Sequence, residues 1–238
     1  MDSKRKTIII SGGGGYLGNA LVRTFTKNGF NIIVLEREIK GLSGTENLHF
    51  KLADVSNFYD VKKAADEVKK EFGGIFAIIH AASAPLVRQP ALSVSEKDFE
   101  KQFAVNVLGG FYLFKYFSEM LSPDGAIIGI TTSAIFHGTA HAKSGSYVAA
   151  KSGLWGLLRS ISFETSFRVY SVAPAFMPDG LNKDLPLAIR EFIVKKIGTK
   201  NVTDAGEVSL TALSLVNDKE RRWSGKTIAL PGFLVTEF

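Results

Sequence analysis

Tyr147 and Lys151 stand four residues apart, a spacing that places both side chains on one face of a helix, one turn from each other. A phenol titrates at about 10 in water. A fixed ammonium beside it favours the phenolate and moves the group toward neutral pH, where it donates or withdraws a proton efficiently. Upstream, Ser133 closes the segment Thr131-Thr132-Ser133, and a hydroxyl there can hold a carbonyl oxygen against such an acid. A second constellation lies near the N-terminus, where Gly12, Gly15 and Gly18 are spaced G-x-x-G-x-x-G. That spacing suits a pyrophosphate: the backbone turns tightly, comes close to the ligand, and leads into a helix whose free N–H groups and dipole attract phosphate. Glu36 follows at the end of the next apolar run, where a carboxylate accepts both hydroxyl protons of a ribose. Arg37 beside it offers a guanidinium to a 2′-phosphate that Glu36 would repel, so the pair admits NAD or NADP and favours NAD.

These groups act together only if the chain brings them to one edge of a sheet, and its patterning predicts that. Thr7 to Ser11 reads as a strand, Tyr16 to Asn28 as a helix closed by Gly29, and Asn31 to Leu35 as a second strand, a βαβ unit around the glycine loop. Leu48 to Ala53, Ile75 to His80, Ala126 to Thr131, Phe167 to Val172 and Thr227 to Leu230 read as further strands. Helices are expected over Asn57 to Phe72, Glu96 to Leu121, Tyr147 to Phe163, Asp184 to Ile197 and Asp204 to Val216. Such alternation implies a Rossmann-type α/β fold, a doubly wound parallel sheet between two helical layers. Ligands of such sheets bind outside the carboxyl ends of the strands.

Composition narrows the alternatives. The chain has 238 residues, 45% hydrophobic and 22% charged, enough apolar material for a large core and too much for disorder. No linker or repeat divides it, so residues 1–238 are expected to form one domain. No cysteine is present, which removes thiolate metal sites, disulfides and cysteine nucleophiles. No membrane span or signal peptide is read, and the expected location is the cytoplasm. The net charge of +6 has one dense cluster, Lys4-Arg5-Lys6, without any nucleic-acid-binding signature. His137 and His141, four apart, sit in a loop with no third ligand near in sequence; no metal is expected, and they are read as lining the substrate entrance. His80, ending a buried strand, reads as a structural hydrogen-bonding residue. The aromatic run through Phe111, Tyr112, Phe114, Tyr116 and Phe117 reads as core and subunit interface. Ile135, Phe136, Phe176, Met177 and Leu181 flank the crevice as an apolar pocket.

The chain resembles the short-chain dehydrogenase/reductase family over essentially its full length. Gly12, Gly15 and Gly18 match its cofactor loop, Asp54 in Ala53-Asp54-Val55 its adenine-contacting acid, and Asn106 in Val105-Asn106-Val107-Leu108-Gly109 the asparagine that anchors a proton-relay water. Ser133, Tyr147 and Lys151 complete the tetrad. The resemblance implies that Tyr147 is the general acid/base, that Ser133 orients substrate, and that Lys151 binds the nicotinamide ribose while lowering the tyrosine pKa. It extends the expected cofactor contacts to Tyr16, Leu17, Val55, Ala81, Ala82 and Pro174. The ending Gly225-Lys226-Thr227-Ile228-Ala229-Leu230-Pro231-Gly232 looks like the branch containing 3-oxoacyl-carrier-protein reductases, commonly tetramers built on the helices that here hold Asn106 and Trp155. Three features depart from that branch: Tyr16 stands where it has glycine, His80-Ala81-Ala82 replaces Asn-Ala-Gly, and Ala175 and Asp179 alter the loop after the sixth strand. An acid at Asp179 would repel pyrophosphate. The expected activity is hydride transfer between nicotinamide and a carbonyl or secondary alcohol. The alternatives are a dinucleotide-sensing module with little turnover and a sugar-nucleotide epimerase or dehydratase, for which the chain is short.

Overall fold

The computed structural model describes residues 5–38, 44–136, 142–232 and 234–237. Its strands are β1 (Thr7–Ser11), β2 (Asn31–Glu36), β3 (Leu48–Leu52), β4 (Ile75–His80), β5 (Leu121–Ile130), β6 (Arg168–Pro174), β7 (Lys226–Leu230) and β8 (Leu234–Glu237). They form one sheet in the order β3-β2-β1-β4-β5-β6-β7-β8. All pairings are parallel except β7 with the short β8. The order turns around between β1 and β4, so their carboxyl ends splay apart and open the crevice where such sheets bind ligands.

β1, β4 and β6 are buried along their whole length, as strands with helices on both faces must be. Successive side chains alternate between two cores. Ile8, Ile10, Ile32 and Val34 pack with Leu21 and Phe25 of α1 (Tyr16–Lys27) and Val208 and Leu215 of α7 (Ala205–Val216). Ile9, Ile33 and Leu35 face the other layer. That layer is built by Val61 and Val68 of α2 (Phe58–Phe72), Leu113 and Phe117 of α4 (Gly109–Ser118), and Leu154 and Leu158 of α5 (Gly145–Glu164).

The single helix expected over Glu96 to Leu121 is three pieces: α3 (Glu96–Phe103), a π turn (Ala104–Leu108) and α4. The helix also ends early, because Leu121 already pairs with Ile75 and begins β5, five residues ahead of the expected Ala126. Apolar periodicity cannot distinguish π from α geometry, and Ser122-Pro123-Asp124 reads as a turn rather than as the irregular start of a strand. α6 (Leu187–Ile197) starts later than the expected Asp184, after a 3-10 turn at Gly180–Asn182, and buries none of its side chains fully. β8 was not foreseen, since four residues beyond Pro231-Gly232 carry too little pattern.

Arg168, only 3% exposed, begins β6. Its Nε and Nη2 donate to the Asp124 carbonyl, and Nη1 donates to those of Leu215, Val216 and Asp218. A cation at the carboxyl end of α7 is favoured by the helix dipole, and here it also joins β5 to α7. Arg168→Met keeps the bulk and strips these carbonyls of their donor. It is expected to cost about 3 kcal/mol or more, read as a lower urea midpoint with unchanged m-value. An unchanged midpoint would show that water replaces the guanidinium.

Candidate active site

The strand–loop–helix junction explains the first and last glycines of the motif. Gly12 has φ +74°, and a Cβ there would lie 2.7 Å from the backbone N and Cα of Ala82. A Cβ on Gly18 would lie 1.9 Å from the Gly12 carbonyl oxygen. The loop is therefore folded onto itself and onto the exit of β4, and only glycine fits both positions. α1 begins after Gly15 with no side-chain cap, so the first-turn N–H groups of Tyr16, Leu17 and Gly18 face outward for an anion. The donor set of this cradle, first-turn N–H groups at an uncapped helix start that directly follows a glycine loop, fits a dinucleotide pyrophosphate.

Glu36 Oε1 accepts from the Gly14 N–H at 2.6 Å, which holds the carboxylate at the carboxyl end of β2 beside the loop. Arg37 is exposed. Asp54 Oδ1 accepts from the N–H and hydroxyl of Ser56 at 2.9 and 2.7 Å, and Val55 packs under α4, 3.0 Å from where a Gly109 Cβ would stand. Pro174 ends β6, and Ala175 N–H donates to Leu230 O and Thr203 Oγ1. Asp179 is paired with Arg190 at 2.9 Å, and the adjoining Gly180 lies against the Tyr16 ring. The expected repulsion of pyrophosphate by Asp179 is thus offset locally by the Arg190 guanidinium.

Tyr147 and Lys151 lie on α5, one turn apart, beyond the carboxyl end of β5. Lys151 is 2% exposed, and its Nζ donates to the Ile130 carbonyl at 2.8 Å while lying 5.9 Å from the centre of the Tyr147 ring. Burial lowers Lys151 to about 7. It raises Tyr147 to about 12, partly opposed by a hydrogen bond with the Thr132 hydroxyl. The ammonium was expected to move the phenol toward neutrality; in the protein alone that is corrected, because Lys151 is turned to a backbone carbonyl and desolvation governs both groups. A phenol so raised stays protonated across the neutral range, the form in which it donates. Ser133 opens the 3-10 turn Ser133–Ile135 directly after Thr132. Thr132 is the participant that sequence reasoning missed, and its only signal is a second hydroxyl beside Ser133.

Asn106 sits at the centre of the π turn, fully buried. Its Nδ2 donates to Gln102 O and Oε1 at 2.9 and 3.1 Å. Gln102 Nε2 donates to Pro85 O at 2.6 Å, tying the turn to the loop after β4. The turn itself packs on α5, where a Cβ on Gly153 would lie 3.0 Å from Val107. One edge of the sheet therefore gathers the glycine cradle, Glu36, Ala81, Ala82, Asn106, Thr132, Ser133, Tyr147 and Lys151. His137 and His141 lie outside the described residues.

Residues 16–232 match a family model described as Enoyl-(Acyl carrier protein) reductase. Among curated proteins, the chain is 26% identical to short chain aldehyde dehydrogenase 1 of Euphorbia lathyris, covering 95% of this chain and 87% of that protein. It is 25% identical to a 3-oxoacyl-acyl-carrier-protein reductase of Rickettsia felis, over 98% of both. Among solved structures, a glucose/ribitol dehydrogenase of the short-chain dehydrogenase/reductase type from Brucella melitensis superposes with a TM-score of 0.87, at 22% identity and 97% coverage of each chain. The NADP-bound structure of ElxO superposes with a TM-score of 0.81 at 19% identity, covering 96% of this chain and 98% of that one.

Proposed function

The chain belongs to the short-chain dehydrogenase/reductase family, and we propose that it acts through Tyr147 as general acid/base, with Ser133, Lys151 and Asn106 as its partners. It is an oxidoreductase of carbonyl and alcohol substrates that uses NAD or NADP. The observation that carries the site assignment is the placement of a half-buried phenol, hydrogen-bonded to Thr132, and a buried amine one turn apart on α5, at the sheet edge that also holds the glycine cradle. When bound, the nicotinamide supplies or accepts the hydride. Tyr147 donates its proton to the carbonyl oxygen in the reducing direction, and Ser133 holds that oxygen. Lys151, whose Nζ donates to the Ile130 carbonyl in the protein alone, would hold the nicotinamide ribose, and Asn106 would anchor the water that returns the proton. Gly12, Gly15, Tyr16, Leu17 and Gly18 hold the pyrophosphate, Glu36 the adenosine ribose, Asp54 and Val55 the adenine, and Ala81, Ala82 and Pro174 line the crevice between.

Within that reading NAD is the preferred cofactor, since Glu36 is anchored by Gly14 where a 2′-phosphate would stand. Fluorescence titration should therefore give a Kd for NADH at least about tenfold below that for NADPH, a difference of about 1.4 kcal/mol. Equal affinities would transfer the role to Arg37. Screening a carbonyl panel against NADH tests turnover, and tight binding without oxidation on any carbonyl would favour a dinucleotide-sensing role. The same reading takes residues 1–238 as one domain, working in the cytoplasm as a homo-oligomer, dimer or tetramer. The oligomer is supported by the exposed Phe99, Leu108 and Phe111 along α3, the π turn and α4. No helix among the described residues is long and apolar enough to cross a membrane.

A further inference from the structure

The cluster Lys4-Arg5-Lys6 has no part in the chemistry above. Lys4 lies outside the described residues, and Arg5 and Lys6 lead into β1 at the amino edge of the sheet, opposite the crevice. Because the strands are parallel, that edge also carries the irregular opening of β5 at Asp124 and the first residue of β6, Arg168. The turn from α7 into β7 reaches it with Lys219 and Arg221. Lys6 Nζ lies over the Phe76 ring, 3.4 Å from its centre, and the Arg168 guanidinium is 5.5 Å from the same ring. Two clefts open there. One, of about 350 Å³, has Arg5 and Lys6 in its wall; the other, of about 340 Å³, has Arg168, Lys219 and Arg221; Asp124 lines both.

Charge at this edge is unbalanced. Among the described residues, none of these five cations lies within 4 Å of a carboxylate oxygen. Glu220 is taken by Arg222 at 2.6 Å. The Asp218 carboxylate accepts from the Tyr170 hydroxyl and from the N–H groups of Arg222 and Trp223, bonds that fold the turn. Arg168 commits its donors to carbonyls and is 3% exposed, so it is a fixed charge beneath the cleft. Burial lowers the Lys6 pKa, Asp124 opposes that, and the charges of Lys219 and Arg168 lower it further, as cations crowded together do. Arg221 stands at φ +55°, a left-handed conformation that costs free energy in a bulky residue and recurs at ligand sites. Its Nη2 donates to the Phe167 carbonyl at 3.2 Å, and the remaining guanidinium hydrogens have no acceptor among the described residues.

We propose that this edge binds a small ligand carrying two or more phosphate groups, held by Lys6, Lys219 and Arg221 and attracted from beneath by Arg168. A phosphate monoester carries about −1.5 to −2 charges, so two such groups balance five cations offset by one carboxylate, where a lone carboxylate ligand would leave most of that charge unmet. Guanidinium and ammonium donors together suit phosphate oxygens. Clefts of this volume are those of small molecules, which favours a metabolite over a nucleic acid or a lipid surface. Phe76, the ring at the centre of the cluster, is 6% exposed and covered by Lys6, so no base can stack on it. The site is remote from the crevice, and its assignment does not depend on the oxidoreductase reading.

Calorimetric titration of the full-length protein with inorganic tripolyphosphate is expected to give a Kd at least about tenfold below that for inorganic phosphate. Lys219→Gln and Arg221→Gly should each weaken tripolyphosphate binding about tenfold or more. Arg221→Gly does not endanger the fold, since glycine adopts that φ freely, and melting of the free variants checks this. Lys196→Gln, exposed on α6, removes one charge away from the edge and should bind tripolyphosphate like the parent. Absence of tripolyphosphate binding, or an affinity no higher than that for inorganic phosphate, overturns the proposal. Equal binding in the parent and both edge variants does so too, and is the result expected if phosphate sits in the glycine cradle instead. An equal loss in Lys196→Gln would show attraction by net charge alone and likewise overturns it. Binding of a single-stranded oligonucleotide or of phosphatidylserine vesicles without binding of tripolyphosphate would replace the small ligand by a macromolecular surface.

Discussion

Replacing Tyr147 by Phe is expected to lower kcat about 10² to 10⁴-fold, the share that general acid–base catalysis supplies, while NADH binding stays within about twofold. The ring remains to pack on α5, and only the hydroxyl that meets Thr132 is lost. Because burial holds that phenol near 12, it is protonated at every neutral pH. The phenol itself should therefore add no pH dependence to the reducing direction between about pH 6 and 8, where only Lys151, lowered to about 7, changes charge, whereas oxidation, which needs the phenolate, should go on rising above pH 8. Single-turnover oxidation of NADH by an accepted carbonyl measures the first, and reduction of NAD by the corresponding alcohol measures the second. Full activity in Tyr147→Phe would remove Tyr147 from the chemistry and leave the hydroxyls of Thr132 and Ser133 to be tested in its place.

Gly18→Ala is expected to weaken NADH binding on the order of a hundredfold, as a displacement of about 1 Å in a positioned site does. The new methyl would stand 1.9 Å from Gly12 O and 2.6 Å from Gly13 Cα. Both are backbone atoms, so α1 must retreat from the loop and carry the N–H groups of Tyr16 and Leu17 with it. Overpacking should also cost about 1–3 kcal/mol of stability. Gly15→Ala meets only Gly12 O at 3.3 Å and should bind NADH better than Gly18→Ala does. Gly156 on α5 has nothing within 4 Å of a built Cβ, and Gly156→Ala should stabilise by about 0.5–1 kcal/mol without touching cofactor affinity. Calorimetric titration with thermal melts ranks the three, and similar affinities for Gly18→Ala and Gly156→Ala would end the assignment of this loop to the pyrophosphate.

The sequence by itself determined the architecture and the chemical inventory. Runs such as Ile8 to Ile10 and Ile75 to Ile79 are apolar at every position, as strands covered by two helical layers must be. The spacing of Gly12, Gly15 and Gly18 after an apolar run marks a tight strand-to-helix turn, and the four-residue spacing of Tyr147 and Lys151 puts both on one face of any helix. These are local rules, carried by periodicity and by the volume of one side chain. Tertiary structure alone decided the rest. The π turn at Asn106 is tied by hydrogen bonds to residues elsewhere in the chain, His80 at the end of β4 and, through Gln102, Pro85 in the loop after it. Lys151 donates to the carbonyl of Ile130 at the end of β5 and lies 5.9 Å from the centre of the Tyr147 ring, a choice of partner that helix spacing does not reveal. Asp179 is offset by Arg190 from the next helix. Burial and hydrogen-bond satisfaction set these arrangements, and both are sums over neighbours that the order of residues does not list.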